Sequence, residues 1–291
     1  MLQIVVNLVI LTFVYLLISF SFVLVHGILR FFHIAHAISI TLGAYFMYTA
    51  VVLWKLPLLM SLIIAIATIV VLMLMINKWI YKPLQEKKVE NWQMMIASLG
   101  LNVVLQNIVS LIWKDSVLSF RYWDINVGYD FCGVFISNIQ IVIVGVGAFL
   151  LLVCHFFLLK TNVGKQIKAM SLNSELSCVI GISKNKTVVW SMALGTVLAV
   201  SVGVLIAADI DMTPTMGFDW LMYGVVAMII GGMGKMRYMI FGALLLATAQ
   251  QLSAYFLDSK WMNATAYIIL VVFLYFRPFG FSGKKLKKTE V

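Results

Sequence analysis

His33 and His36 are three residues apart and share one face of any helix that holds them. With His26 they are three of the chain's four histidines, all within residues 26–45. Two imidazoles at this spacing can hold a metal ion or pass a proton. Without a carboxylate neighbour they are a thin ligand set, and no metal is expected. The plainer reading is hydrogen bonding between helices or contact with a wet cavity. Ser39 carries the polarity of this segment one turn further. Asn102 and Gln106, four apart, form a second polar face, with Asn107 beside them. Glu175 follows Asn173-Ser174, a pair suited to starting a short helix.

Several chemistries are excluded by spacing. Gly234-Lys235 is followed by Met236, and Gly283-Lys284 by Lys285, so neither completes a phosphate-binding loop. No Ser-His-Asp grouping and no pair of carboxylates inside an apolar run is present, so no enzyme activity is expected. Cys132, Cys154 and Cys178 show no metal-ligand or disulfide spacing. No cofactor is implied.

The elements that must position these residues are apolar. Hydrophobic residues make up 63% of the chain and charged residues 11%, and the mean hydropathy is +1.04. Soluble domains carry roughly 25% charged residues. Apolar runs cover 2–25, 34–54, 57–80, 92–113, 137–159, 187–208, 219–233, 238–257 and 262–276. Runs of about 20 residues match the thickness of a bilayer. The fold class expected is therefore all-α: a polytopic membrane protein of eight to nine transmembrane helices. Residues 26–45 are the candidate for a broken helix, because irregular backbone at membrane depth survives only where it is covered or lines a cavity.

The net charge of +10 lies in loops. Lys78, Lys82, Lys87 and Lys88 form one cluster, Lys160, Lys165, Lys168, Lys184 and Lys186 a second, and Arg277 with Lys284, Lys285, Lys287 and Lys288 a third. Such clusters mark cytoplasmic loops, not a nucleic-acid partner. The loops between them carry Asp115, Asp124 and Asp130, then Asp209, Asp211 and Asp219. The expected topology puts the N-terminus outside and the C-terminus inside. One transmembrane domain spans 1–280, with a cytoplasmic loop at 160–186 and a basic tail at 281–291. The loop reads as two short helices, with Ile167 and Met170 on the first and Leu176, Val179 and Ile180 on the apolar face of the second.

Gly164, Lys165, Lys168, Ala169, Glu175, Gly181 and Ile182 match, in identity or charge, the cytoplasmic coupling loop of ABC-transporter permeases of the branched-chain amino acid type, which this chain resembles. Residues 27–45, ending Leu42-Gly43-Ala44-Tyr45, and residues 213–234 resemble two further stretches of that family. Tyr81-Lys82-Pro83-Leu84, Ser98-Leu99-Gly100-Leu101 and Arg277-Pro278-Phe279-Gly280 also fit, so the likeness runs in order along nearly the whole chain. The chain departs from the family at His33, at Ala37-Ile38, at Ser174 and Cys178, and at Lys235-Met236-Arg237.

The resemblance implies an inner-membrane importer subunit working by alternating access, with a branched-chain amino acid or related small solute as cargo. It implies a second permease subunit, like or identical, two cytoplasmic ATP-binding subunits and an external substrate-binding protein. His33, His36, Ser39, Asn102 and Gln106 would then line the pathway. Gly164, Lys165, Lys168, Ala169, Glu175 and Gly181 would serve ATPase coupling. The alternative is a stand-alone secondary transporter driven by protons or sodium, which needs ionisable groups inside its spans. Only His33, His36 and His155 could serve.

Overall fold

A computed structural model describes residues 2–120, 128–131, 134–232, 236–278 and 280–281. Asp124, Cys132, Gly234-Lys235 and the basic tail after Phe281 lie outside the described residues.

In hydrocarbon a backbone must satisfy its own hydrogen bonds, so the apolar runs fold as helices. They are α1 (Leu2–Leu29), α2 (His36–Tyr48), α3 (Leu58–Ile76), α4 (Lys82–Glu86), α5 (Asn91–Trp113) and α6 (Asn138–Lys160). There follow α7 (Asn162–Leu172), α8 (Ser174–Val179), α9 (Lys184–Asp209), α10 (Met216–Gly231), α11 (Met236–Phe256) and α12 (Met262–Phe276). A π-helical turn extends α2 to Leu53, and another joins α3 to α4. Among the described residues eight helices are long and apolar enough to cross a bilayer, and α10 is a shorter apolar helix.

The core is a cluster of α1, α2, α9, α10 and α11. α1 packs on α9, α10 and α11, and α2 packs on α9 and α10. α1 and α9 are mostly buried, whereas α5, α6 and α12 turn most of their apolar surface outward. Close approach in the core needs residues without side chains. A Cβ on Gly217 would stand 2.2 Å from the Ala37 carbonyl oxygen, so only glycine lets α10 cross α2 there.

The core is interrupted twice, in matching fashion. α1 ends where Arg30 N–H bonds the His26 carbonyl, and α9 where Ile210 N–H bonds the Ile206 carbonyl. After non-helical stretches of equal length, His36 N–H bonds His33 O and Met216 N–H bonds Thr213 O, each at 3.1 Å. Helices α2 and α10 start at these points. The expected broken segment at 26–45 is thus resolved: 26–29 completes α1, 30–35 is the break, and α2 follows. The first apolar run accordingly extends past residue 25 to Leu29.

The sequence reading assigned no structure to the loop between α5 and α6. It holds an antiparallel hairpin, β1 (Gly128–Phe131) with β2 (Val134–Ser137), in which Tyr129 faces Ile136. α7 packs against the last part of α1, with Gly27 facing Ser171. The start of α1 lies at the opposite end, where Gln3 donates to the Phe135 carbonyl.

Candidate translocation and coupling sites

The first break carries the histidines. Arg30 leaves α1 with φ 60°, a left-handed conformation that stops the helix. His36 Nε2 lies 2.5 Å from Ser21 Oγ, whose hydroxyl also reaches the Gly195 carbonyl at 3.0 Å. Ser21 is about two turns, roughly 12 Å, back from the end of α1, so residues 30–35 fold back along that helix. With the serine proton given to Gly195, the His36 Nε2–H donates to the Ser21 oxygen.

His33 is fully buried, and neither of its ring nitrogens has a hydrogen-bond partner among the described residues. Its ring meets Tyr81 edge-on at 5.0 Å, His36 at 6.0 Å and Phe31 at 5.8 Å between centroids. The Tyr81 hydroxyl and the Ser39 hydroxyl are likewise buried and unpartnered. Buried polar groups left unpaired are uncommon and point to a functional or hydrated place.

Helix α5 brings the second polar face against α2. Ser98 accepts from the Ile34 N–H at 3.1 Å, and its own proton lies between the Phe32 and Met95 carbonyls, at 3.2 and 2.8 Å. That hydroxyl meets two backbone groups of the break, where Ile34 N–H also reaches Phe32 O at 3.1 Å and the His26 Nδ1 lies 3.0 Å from Phe31 O. Asn102, one turn on, is buried, and Gln106 is half-buried, whereas Val103, Val104 and Ile108 point outward. Ser98, Asn102 and Gln106 therefore form a polar stripe on the inward side of an otherwise apolar helix. The structure brings His33 and His36 together, with Ser39 further along α2 and Asn102 and Gln106 on the stripe.

Neither Ser98 nor Tyr81 was singled out as a site residue from the sequence, although both lie in stretches that resemble the family. Their partners are remote along the chain, and no local pattern announces such contacts.

The coupling residues stand apart, at the end of the molecule where α1 finishes. Thr161 caps α7 by accepting from Gly164 N–H at 3.0 Å, and Asn173 caps α8 by accepting from Leu176 N–H at 3.0 Å. Gly164 is pressed against the end of α6, where a Cβ would stand 2.3 Å from the Phe157 carbonyl oxygen. Ile167 and Met170 are buried, and Ala169, half-buried, accepts from Asn173 N–H. Lys165, Lys168 and Glu175 are exposed, and Gly181 turns the chain out of α8 at φ 90°. The apolar side of α8 faces outward: Leu176 is 59%, Val179 83% and Ile180 67% exposed.

Among the described residues no group of three or more His, Cys, Asp or Glu side chains could hold a metal. Cys154 is a buried free thiol and Cys178 an exposed one.

A polytopic helical core with buried polar groups and an outward-facing helix pair is that of a membrane-embedded subunit, and its family is one of transport subunits with no ATPase site of their own. The chain belongs to the family described as the branched-chain amino acid transport system permease component, whose profile matches residues 4–276. It is similar to the high-affinity branched-chain amino acid transport system permease protein BraD of Pseudomonas aeruginosa. They are 25% identical over 287 residues, covering 93% of this chain and 92% of that one. The LivH permease protein of Escherichia coli K12 is 25% identical over 284 residues, covering 93% and 91%. In fold it is similar to PsaBC from Streptococcus pneumoniae, solved in complex with Fab, with a TM-score of 0.53 and 13% identity. That match covers 99% of this chain and 94% of the other.

Proposed function

We propose that this chain carries a branched-chain amino acid, or a small solute of that kind, through the inner membrane by alternating access. Cytoplasmic ATPases, two per transporter, supply the force, a second permease subunit completes the pathway, and an external binding protein delivers the solute. The observation that carries this reading is the outward-facing pair α7–α8. Apolar side chains of α8 that meet neither core nor lipid are suited to a protein partner, with Lys165, Lys168 and Glu175 around them. Lipid covers exposed leucines on the spans, but the capped helices of this loop stand between spans α6 and α9.

In this reading His33, His36, Ser39, Asn102 and Gln106 supply polar lining to the pathway. The lysine clusters support a cytoplasmic position for α7–α8. The N-terminus then lies outside, since α1 runs away from its start toward α7. An impermeant thiol reagent added to intact cells should therefore leave Cys178 unlabelled, and labelling from outside would reverse the orientation.

The coupling role is tested at Glu175. A carboxylate in the first turn of α8 stabilises the helix by only about 0.3–1 kcal/mol, so its loss leaves the fold intact. Truncating a charged partner in an interface costs about 2–5 kcal/mol. Glu175→Arg should abolish uptake of radiolabelled leucine while membrane blots show normal amounts of protein. Normal uptake by that variant would remove Glu175 from the coupling surface. A proton- or sodium-driven carrier acting alone would transport without any co-purifying ATPase.

A further inference from the structure

At the end of the molecule away from α7–α8 a cleft of about 380 Å³ opens between α1, α9, α10, α11 and α12. Helix α9, 26 residues long, separates the two ends by about 39 Å. The wall of the cleft is aromatic. Tyr15, Trp220 and Tyr223 stand with ring centroids 6.1, 5.8 and 5.9 Å apart, the last pair perpendicular. Their phenols are held in place: Tyr15 donates to Gln250 Oε1 and Tyr223 to Asn263 Oδ1. Gln250 is itself fixed by donating to the Met262 carbonyl at 3.2 Å.

Asp209 lines the same cleft and is the last residue of α9. The unpaired carbonyls of a helix C-terminus add partial negative charge to its carboxylate. No basic side chain is among the described residues that line the cleft. Two amides complete it. Asn7 gives its oxygen to Gln3 and Gln140 gives its oxygen to the Ser137 N–H, which leaves each its NH2 group to donate. Gln140 and Asp209 also border an adjoining hollow of about 440 Å³ beside β2. A carboxylate, the partly exposed Trp220 ring backed by the buried Tyr15 and Tyr223, and no basic side chain among the described lining residues favour a positive group. Ile10, Leu11 and Met262 offer an apolar stem its contacts.

We propose that this cleft binds a primary ammonium group carried on a short apolar stem, with the ammonium at Asp209 and the Trp220 ring. A free amino acid and an ethanolamine lipid headgroup both carry such a group. For the amino acid, the Asn7 and Gln140 amides would receive the carboxylate; that source rests on the import reading above, whereas the ammonium chemistry does not. The cleft lies within one subunit, so each permease copy would hold its own ligand on the side opposite the coupling helices.

The test uses the full chain in nanodiscs of phosphatidylcholine and phosphatidylglycerol, which bring no primary amine. Binding of L-leucine, 3-methylbutylamine, 4-methylpentanoate and glycerophosphoethanolamine is followed by saturation-transfer NMR. Leucine and 3-methylbutylamine should bind, and 4-methylpentanoate about tenfold or more weaker. Asp209→Asn and Trp220→Leu should each weaken leucine by a similar factor. Tighter binding of glycerophosphoethanolamine than of leucine assigns the site to lipid, and the reverse assigns it to the solute. Equal binding of 4-methylpentanoate and the amine, no binding at all, or unchanged binding in both variants would overturn the proposal. If a variant fails to fold, the ligand series on the unmodified chain still decides. Leucine uptake in cells separates the two claims: uptake without ammonium binding removes only the cleft, and Asp209-dependent binding without uptake removes only the import reading.

Discussion

At the first break, residues 30–35, side chains meet the backbone, the Ser98 hydroxyl of α5 and the His26 ring of α1, beside one local bond from Ile34 N–H to Phe32 O. At the second, residues 210–215, it is held by other backbone: Leu118 N–H donates to Met212 O at 3.1 Å, and Met212 N–H to Leu118 O at 2.8 Å. The two breaks share their hydrogen-bond pattern and their position between a long helix and a shorter one. They differ in their ends. The first leaves its helix through a left-handed arginine and the second through an extended isoleucine, φ −122°. They also differ in location, since α1 ends against α7 and α9 ends beside the aromatic cleft. The hydroxyl that meets the first break belongs to another helix, α5, whereas the second break is joined by two reciprocal backbone bonds.

The largest effect is expected where both breaks meet. Ala37 and Gly217 occupy equivalent places just after the two breaks and touch each other. Gly217→Val drives a branched side chain into the Ala37 carbonyl and the Thr41 hydroxyl, which accepts from Gly217 N–H at 3.1 Å. Overpacking of this kind costs about 1–3 kcal/mol, occasionally more, and here it acts on both breaks at once. Detergent-solubilised protein should aggregate or melt far below the parent. Gly100→Ala, where nothing lies within 4 Å of the added carbon, should leave the melting curve in place. Equal behaviour of the two variants would mean that the breaks do not depend on each other.

Ser98→Ala comes next and acts on the first break alone. It removes the bonds from the Ile34 N–H and to the Phe32 carbonyl, at about 0.5–1.5 kcal/mol net each, and leaves those two groups only their 3.1 Å contact with each other. Thermal denaturation in detergent should show it. Leu118→Pro removes one of the two backbone bonds at the second break, worth about 0.5–1.5 kcal/mol net. It loses one hydrogen bond, to the carbonyl of the buried Met212, against the several made by the Ser98 hydroxyl, so the shift should be the smaller of the two. A larger shift for Leu118→Pro would reverse that order.

The two breaks also differ in how plainly they could be read from sequence. Pro214, with Asp209 and Asp211 before it, interrupts an apolar pattern and marks the second. The first, Arg30-Phe31-Phe32-His33-Ile34-Ala35, contains no proline or glycine, and its polarity pointed only to a broken helix somewhere within 26–45. Where it falls is decided by Ser98, far along the chain. The spans themselves were legible, because a bilayer demands long apolar runs, and of the two short helices of the coupling loop the first was legible from its apolar spacing and the second from its cap at Asn173-Ser174. That α8 turns its apolar residues away from the protein is a matter of packing, which periodicity cannot give. The hairpin strands span four residues each, too short for alternation to stand out beside the spans.

The smallest effect on stability, and the sharpest on transport, is expected at His33. Its nitrogens bond nothing among the described residues, and its ring rests on Phe31, Tyr81 and His36. Replacing an unpaired polar group by an apolar one of similar shape is close to neutral or stabilising. His33→Phe should therefore leave the melting temperature unchanged or slightly raised. His36→Phe breaks the bond to Ser21 and should lower the stability by about 1 kcal/mol, with a fall in melting temperature. If the buried imidazole is kept for structure, uptake follows stability and His33→Phe transports normally. If it is kept for the pathway, uptake of labelled leucine falls steeply in a protein that is as stable as the parent. A melting temperature lowered as much in His33→Phe as in His36→Phe would mean that the ring nitrogens of His33 do find partners.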